Sequence, residues 1–332
     1  MSLLRYSGRR VVQAVPVLLG VVAITFALIN AAPGNPVEIM LGPSPNQAAV
    51  ETLKAKYGLD QPLYVRFWKY LVNLVQLDMG RSIYYDAPVT TKIAQRLPQT
   101  VLLMTSSFAF AIATAVPLGV ISAKRRNKPT DHVTRIVSLV GVSTPSFWIG
   151  LVLIVLFSYN LGVLPATNLV MPWAHPSTVT GASTRLGVLY VAGAHLLLPM
   201  LSLGTLQMAA ITRIERSSML EVLSDDYVRL ARAYGVKERT ILRKHAFRNA
   251  QLPVITIIGL QLTTAIGGAV LTETVFEING MGRLIVSSIS RQDFPVVMGT
   301  TLVFAFVFVV GVIITDISYA YVDPRVSYGD QE

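Results

Sequence analysis

Residues 97–123 read LPQTVLLMTSSFAFAIATAVPLGVISA, 27 residues without one Asp, Glu, Lys or Arg. A helix rises about 1.5 Å per residue, so about 20 apolar residues cross a hydrocarbon core of ~30 Å. Five more stretches lack these four residue types: 11–37, 136–184, 186–212, 249–272 and 294–315, of 27, 49, 27, 24 and 22 residues. The longest collects Gly162, Pro165, Asn168, Pro172, Pro176 and Gly181 after Tyr159, which predicts a single span from about Ile136 to Tyr159 followed by a loop. The expected fold is all-α, a polytopic membrane protein with six transmembrane helices.

Composition excludes most other classes. With 332 residues, 52% hydrophobic and 14% charged, and a mean hydropathy of +0.55, this is no ordinary soluble domain. A transmembrane β-barrel would show ~10-residue segments of alternating polarity, and none is present. The absence of Cys removes disulfides, thiolate metal sites and Cys nucleophiles together. The net charge of +10 does not indicate nucleic acid, because the basic residues lie in loops beside apolar spans instead of along a soluble groove. Arg5, Arg9 and Arg10 could head a signal peptide, but the apolar run Val11–Ala32 exceeds the usual ~7 to 15 residues and ends in no A-x-A site. It is expected to remain as the first span.

Loop charge orients the chain. With both termini cytoplasmic, 18 of the 28 Lys and Arg residues fall on the cytoplasmic side, nine of them between Arg213 and Arg248. That bias is the one short loops carry in membrane proteins. The opposite, external side then holds residues 38–96, where Leu63, Phe67, Tyr70, Leu71 and Leu74 recur at helical spacing beside Trp68 and Lys69. Such a helix can lie along the interface or pack as a small cap.

The cytoplasmic stretch from Arg213 to Arg248 is the most informative. Ser224, Asp225 and Asp226 suit a helix N-terminus, and Gly235 suits the left-handed residue that ends one, which predicts a helix of about ten residues. Along it Tyr227, Leu230, Ala231 and Tyr234 form one apolar stripe, with Arg229 and Arg232 opposite. An amphipathic helix of this length can rest on headgroups, fold back on the bundle ends, or dock in a partner's groove; composition leaves all three open.

The run RSSMLEVLSDDYVRLARAYG (Arg216–Gly235), followed by HAFRNAQLPVIT (His245–Thr256), resembles the EAA loop of ABC importer permeases, specifically the dipeptide/oligopeptide/nickel permease family. APGNPV (Ala32–Val37), LDMGRS (Leu77–Ser82), TPSFW (Thr144–Trp148) and LTETVFEINGMGRL (Leu271–Leu284) extend the resemblance over almost the whole chain. The Glu-Ala-Ala triplet is here Ala231, Arg232, Ala233, and Asn35 and Asn279 stand where this branch commonly has Asp and Pro. The resemblance implies a type I ABC importer transmembrane domain in a prokaryotic inner membrane. It divides the chain into 1–37 with the first span, an external region 38–96, a transmembrane domain 97–322 containing the loop 213–250, and a tail 323–332.

By the same resemblance that loop is a coupling helix, with Asp226, Tyr227, Leu230, Ala231, Arg232, Ala233, Tyr234 and Gly235 at the surface offered to an ATPase subunit. Arg229 and Arg232 would lie at its rim, pairing with ATPase acids or simply solvating the helix. The implied partners are a second homologous permease, two cytoplasmic ATPase subunits and an external substrate-binding protein that delivers peptides. ATP and Mg belong to the ATPase subunits, and this chain indeed carries no G-x-x-x-x-G-K-[ST] loop. No cofactor, metal or catalytic residue is expected in this chain.

Competing classes lack their residues. The His residues at 132, 175, 195 and 245 have no acid at metal-ligand spacing, and His195 reads as a hydrogen-bonded packing residue. A proton-coupled carrier would place ionisable groups at mid-membrane, whereas Glu273 and Asp316 stand at window edges, where hydration accounts for them. The uncharged polar residues Gln207, Gln261, Thr263 and Thr264 are the candidates for the translocation path, with interhelical hydrogen bonding as the alternative role.

Orientation is directly testable in this Cys-free chain. Single Cys substitutions at Gln47 and Lys237 should react with an impermeant thiol reagent from opposite sides of sealed vesicles; reaction of both from one side would refute the topology.

Overall fold

The computed structural model describes residues 3–31, 48, 50–52 and 60–322. The motif Ala32–Val37 with Asn35, most of 38–59 and the tail 323–332 lie outside the described residues, as do the side chains of Thr263, Thr264 and Asp316. Every regular element among the described residues is helical: α1 (Leu3–Ala31), α2 (Leu63–Val75), α3 (Val89–Lys124), α4 (Pro129–Ser143), α5 (Ser146–Leu153, continued by a π-helix Ile154–Asn160), α6 (Arg185–Ser224), α7 (Asp226–Ala233), α8 (Phe247–Val275), α9 (Met281–Ser290) and α10 (Phe294–Val322). Four helices (α1, α3, α6 and α10) hold apolar windows long enough to cross a membrane, and two bent helix pairs bring the number to six.

The stretch read as a single span from Ile136 to Tyr159 is not one straight helix: α4 and α5 with its π continuation meet at 106°. Pro145 has no N–H for the ladder and disfavours helical backbone in the residue before it; Thr144 is accordingly extended, at φ −102° and ψ 127°. Hydropathy could not register the break, because both arms are apolar.

The chain forms two compact units, Met1–Gly8 with Val101–Ile278 and Val310–Glu332, and Arg9–Thr100 with Asn279–Val309. In the first, α6 packs on α8, α4 and α5. Its cores follow α6 along its length: Leu203 with Leu103, Phe108, Ala265 and Phe276; then Ile211 with Ala111, Ala115 and Val254; then Met219 with Ala123, Leu242 and Ala250. In lipid the association of apolar helices rests on close packing and hydrogen bonds, so small residues mark the contacts. A Cβ on Gly119 would come within 2.5 Å of Glu215 Cγ, and one on Gly204 within 2.9 Å of Ser107 O. The break between α4 and α5 is held by Ser202, whose Oγ donates to Ser146 O at 2.7 Å. His195 Nδ1 lies 3.1 Å from Thr167 O, as its reading as a packing residue requires. Glu273, by contrast, is fully buried, so hydration at a window edge does not account for it.

In the second unit, α2 turns Phe67, Tyr70, Leu71 and Leu74 inward, with the Phe67 and Phe26 rings 5.2 Å apart. Leu63, Tyr64, Trp68, Val72 and Val75 stay exposed, so α2 packs on α1 through one apolar face and presents another. Val89, Ile93, Met281, Leu284 and Val296 form this unit's core. Asp293 fixes the LDMGRS segment: it accepts from Ser82 Oγ, from Ile83 N at 3.0 Å and from Tyr84 N at 3.3 Å.

The close approach of α3 and α6 predicts a sharp contrast. Gly119→Val should lower the melting temperature of the purified protein through overpacking of about 1–3 kcal/mol. Gly193→Val, on α6 where nothing lies within 4 Å of the added Cβ, should leave it within experimental scatter. Equal melting temperatures for the two would contradict the packing.

Candidate functional site

Helix α6 runs 40 residues to Ser224, and α7 begins two residues later at Asp226. So short a joint gives α7 little freedom relative to α6. Ser224 Oγ donates to Glu221 O at 2.7 Å and so closes α6; it does not cap α7, where Asp225 is the N-cap residue without a side-chain hydrogen bond. Helix α7 has eight residues, a little shorter than the spacing predicts.

Its C-terminus is a Schellman turn. Gly235 N donates to Arg232 O at 2.9 Å and Val236 N to Ala231 O at 3.1 Å, with Gly235 at φ 74°. A glycine adopts that backbone without the penalty a Cβ would bring. Beyond it Arg232 folds back onto Glu238, Nη2 to Oε1 at 3.0 Å and Nε to Oε2 at 3.2 Å. Those hydrogen bonds hold the Glu238 carboxyl below its ordinary range. A lowered carboxyl keeps the clasp at neutral pH and releases it only as pH falls through the lowered value. Arg232 therefore has a partner in its own loop, which neither rim role had anticipated. Arg229 lies 3.6 Å from Asp226, and both are well exposed.

The apolar stripe faces outward. Tyr227, Leu230 and Tyr234 are 40%, 57% and 80% exposed, and Ala231 is half-buried. The one buried residue of α7 is Val228, which the sequence reading passed over. Tyr227 OH accepts from Asn249 Nδ2 at 2.8 Å and donates to His245 O at 3.4 Å, orienting its ring from the start of α8. Asp226, Arg232, Ala233, Tyr234 and Gly235 are all exposed.

Two buried polar contacts set that surface on the bundle. Asp131 at the start of α4 is fully buried and meets Arg216 in a bidentate pair, 2.6 Å to Nε and 2.9 Å to Nη2. Ser122 Oγ and Asn127 N complete its shell at 2.6 and 2.9 Å. Next to Arg216 on α6, the buried Glu215 accepts from Gln251 Nε2 at 3.1 and 3.2 Å. Both acids were missed by sequence reading; Asp131 stands alone among the basic residues 124–135, whereas Glu215 is one of five acids between Arg213 and Arg248 and carried no such signal.

The path candidates are less concentrated. Gln207 is buried on α6, and its Oε1 has no hydrogen-bond partner among the described residues. Gln261 is half-buried on α8. The α6–α8 contacts at Leu203 with Gly268 and at Glu215 with Gln251 bracket both glutamines along the helix pair. Thr263 and Thr264 belong to α8, and nothing is assigned to their side chains.

Comparison with known proteins bears on this arrangement. The family model for the binding-protein-dependent transport system inner membrane component matches residues 115–328, and that for its N-terminal part matches 3–105. The chain is similar to the oligopeptide transport system permease protein AppB of Bacillus subtilis, with 43% identity over 97% of this chain and 99% of that one. Similarity extends to the dipeptide transport system permease protein DppB of Alkalihalophilus pseudofirmus, at 37% identity over 98% and 100% of the two chains. The probable D,D-dipeptide transport system permease protein DdpB of Escherichia coli is 40% identical over 95% of each. Among solved structures, an inward-facing MetNI methionine ABC transporter matches with a TM-score of 0.52 at 16% identity, covering 70% of this chain and 96% of that one. That match speaks to the fold.

The Asp131–Arg216 pair makes an asymmetric prediction. Arg216→Ala strands a fully buried carboxylate and should cost the purified protein about 3–5 kcal/mol, read as an early thermal transition. Asp131→Ala leaves a guanidinium whose side chain is 20% exposed and should cost less. The double substitution should recover part of the loss; strictly additive effects would contradict the pairing.

Proposed function

Because the chain belongs to the inner-membrane-component family of binding-protein-dependent transport systems, we propose that it passes peptides across the membrane together with a second, homologous permease. It is a permease subunit of an ABC importer and not an enzyme; hydrolysis of ATP belongs to separate ATPase subunits. Peptide as the cargo is supported by the names of its relatives, which are permeases for oligopeptides, dipeptides and D,D-dipeptides. Two ATPase subunits and an external binding protein complete the assembly. The bias of basic residues supports cytoplasmic termini and a cytoplasmic 213–250 loop within a transmembrane domain of 97–322.

In this reading α7 is the coupling helix. The observation that carries it is the exposure of Tyr227, Leu230 and Tyr234 on a helix already anchored at Val228 and closed at Gly235. A helix tied to its own chain through one face has the other to offer. Seated in a cleft of an ATPase subunit, it would pass closure of the ATPase dimer to α6 across the single-residue joint at Asp225. Asp226, Ala231, Arg232, Ala233 and Gly235 complete the seat, with Arg232 kept in shape by Glu238. Gln207, Gln261, Thr263 and Thr264 are proposed as the polar lining met by the peptide on the way through.

Two substitutions test the seat without touching a span. Ala231→Trp overfills the contact, and Gly235→Val forces a β-branched residue to φ 74°. Each should reduce ATPase co-purification and peptide uptake about tenfold or more at matched membrane levels, the loss of roughly 1.4 kcal/mol of contact. If α7 rests on lipid instead, Ala231→Trp should leave both unchanged or strengthen anchoring, since Trp favours the interface. Normal values for both variants would sink the assignment.

A further inference from the structure

In the second unit α2 lies beside two spans and not beyond their ends. Its Phe67 ring stands 5.2 Å from that of Phe26, and Tyr70 shares a crevice with Val21, Val22, Thr25, Met298 and Leu302. Phe26 falls five residues before the end of α1 and Leu302 eight after the start of α10, so at 1.5 Å per residue these contacts lie about 7 and 12 Å inside the helix ends. Both belong to stretches free of Asp, Glu, Lys and Arg, 11–37 and 294–315. The surface of α2 is sorted into strips. Phe67, Tyr70, Leu71 and Leu74 turn inward. Tyr64, Trp68, Val72 and Val75 form a second apolar strip beside them and are 76%, 67%, 41% and 86% exposed. Arg66, Lys69 and Asn73 make a third strip, which is polar. Between α1 and α2 opens a mainly apolar cleft of about 510 Å³, walled by residues from 23–31 on one side and from 63–67 on the other. Its one amide, that of Asn30, turns back to donate to Phe26 O at 2.7 Å.

We infer that α2 is an interfacial helix, and that lipid acyl chains cover its second apolar strip and the cleft beside it. Helices of this kind sink an apolar face about 5–10 Å into the boundary between headgroups and chains, which is the depth at which Phe67 meets Phe26. Tyr64 and Trp68 suit that zone, since their rings are apolar and their polar tips can stay wet. The polar strip then faces headgroups, where Arg66 and Lys69 meet phosphate while their stems lie along the chains. A protein partner would account for the second strip alone. Lipid accounts for that strip, the cleft and the basic strip together, and it is already the solvent of the two spans that α2 touches. That the leaflet is the outer one rests on the proposed orientation; the depth and the facing of α2 do not.

Because the chain has no Cys, single nitroxide labels can be placed along α2 in the complex of both permeases and the ATPase subunits, with Cys-free partners, in nanodiscs of phosphatidylcholine and phosphatidylglycerol. Power saturation reads the access of each label to oxygen, which concentrates among acyl chains, and to a nickel chelate, which stays in water. Trp68→Cys and Val72→Cys should give an oxygen-to-nickel ratio about threefold or more above that of Lys69→Cys and Asn73→Cys, as a helix half sunk in the interface requires. Ala27→Cys, in the cleft, should follow Trp68→Cys. All five positions are exposed, so the labels displace no core residue. Nickel-dominated access at 27, 68 and 72 would make α2 a cap in water, and low access to both reagents there would put a protein surface on the strip. Either result would overturn the inference and leave the permease assignment standing. If the subunits fail to assemble, the proposed function falls, and the same labels on the chain alone in nanodiscs decide this inference by the same ratios.

Discussion

A fully buried carboxylate gripped by both arms of one guanidinium is the contact on which the arrangement of the 213–250 loop depends. Asp131 sits where α4 begins, and Arg216 lies eight residues before α6 ends. Ser122 and Asn127 add the end of α3 and the turn after it. Breaking such a pair strands a charge, so the three segments are obliged to move together. Glu215 and Gln251 extend the same tie to α8, and Gly119 supplies the room that Glu215 needs. Helix α7 therefore stands on a braced base, with only Asp225 between it and α6.

That bracing gives the exposed stripe its meaning. Tyr227, Leu230 and Tyr234 would be poor candidates for coupling on a loosely tethered segment, because motion of a partner would be lost in the tether. Here Val228 is buried, Tyr227 is hydrogen-bonded to Asn249, and the Schellman turn at Gly235 is followed by the Arg232–Glu238 clasp. A load applied to the outward face reaches α6, and with it the cores built on Met219, Ile211 and Leu203 in succession.

Much of this was legible in the sequence, and the failures share a cause. Absence of charge over long windows identified every apolar segment, since lipid tolerates little else. The same measure could not find the 106° break at Thr144–Pro145, where both arms are apolar. The stripe and the left-handed Gly235 followed from helical spacing and from glycine's missing Cβ. Val228 was passed over because spacing defines faces without saying which of them meets the chain's own bundle. Arg232 with Glu238, Asp131 with Arg216 and Asp293 with Ser82 join residues that spacing along one helix cannot relate. Glu273 at a window edge looked hydrated and is buried, because a segment's edge in sequence need not be its edge in space.

The central claim is that the outward face of α7 is covered by the ATPase. It is tested most directly by the labelling rate of Leu230→Cys with a hydrophilic maleimide in detergent-solubilised permease pair, with and without the ATPase subunits. Leu230 is 57% exposed in the chain alone, so labelling should be fast there and slow by about tenfold or more once the ATPase is bound, the protection expected of a side chain at the centre of an interface. An unchanged rate in a complex shown to hold its ATPase subunits would contradict the account.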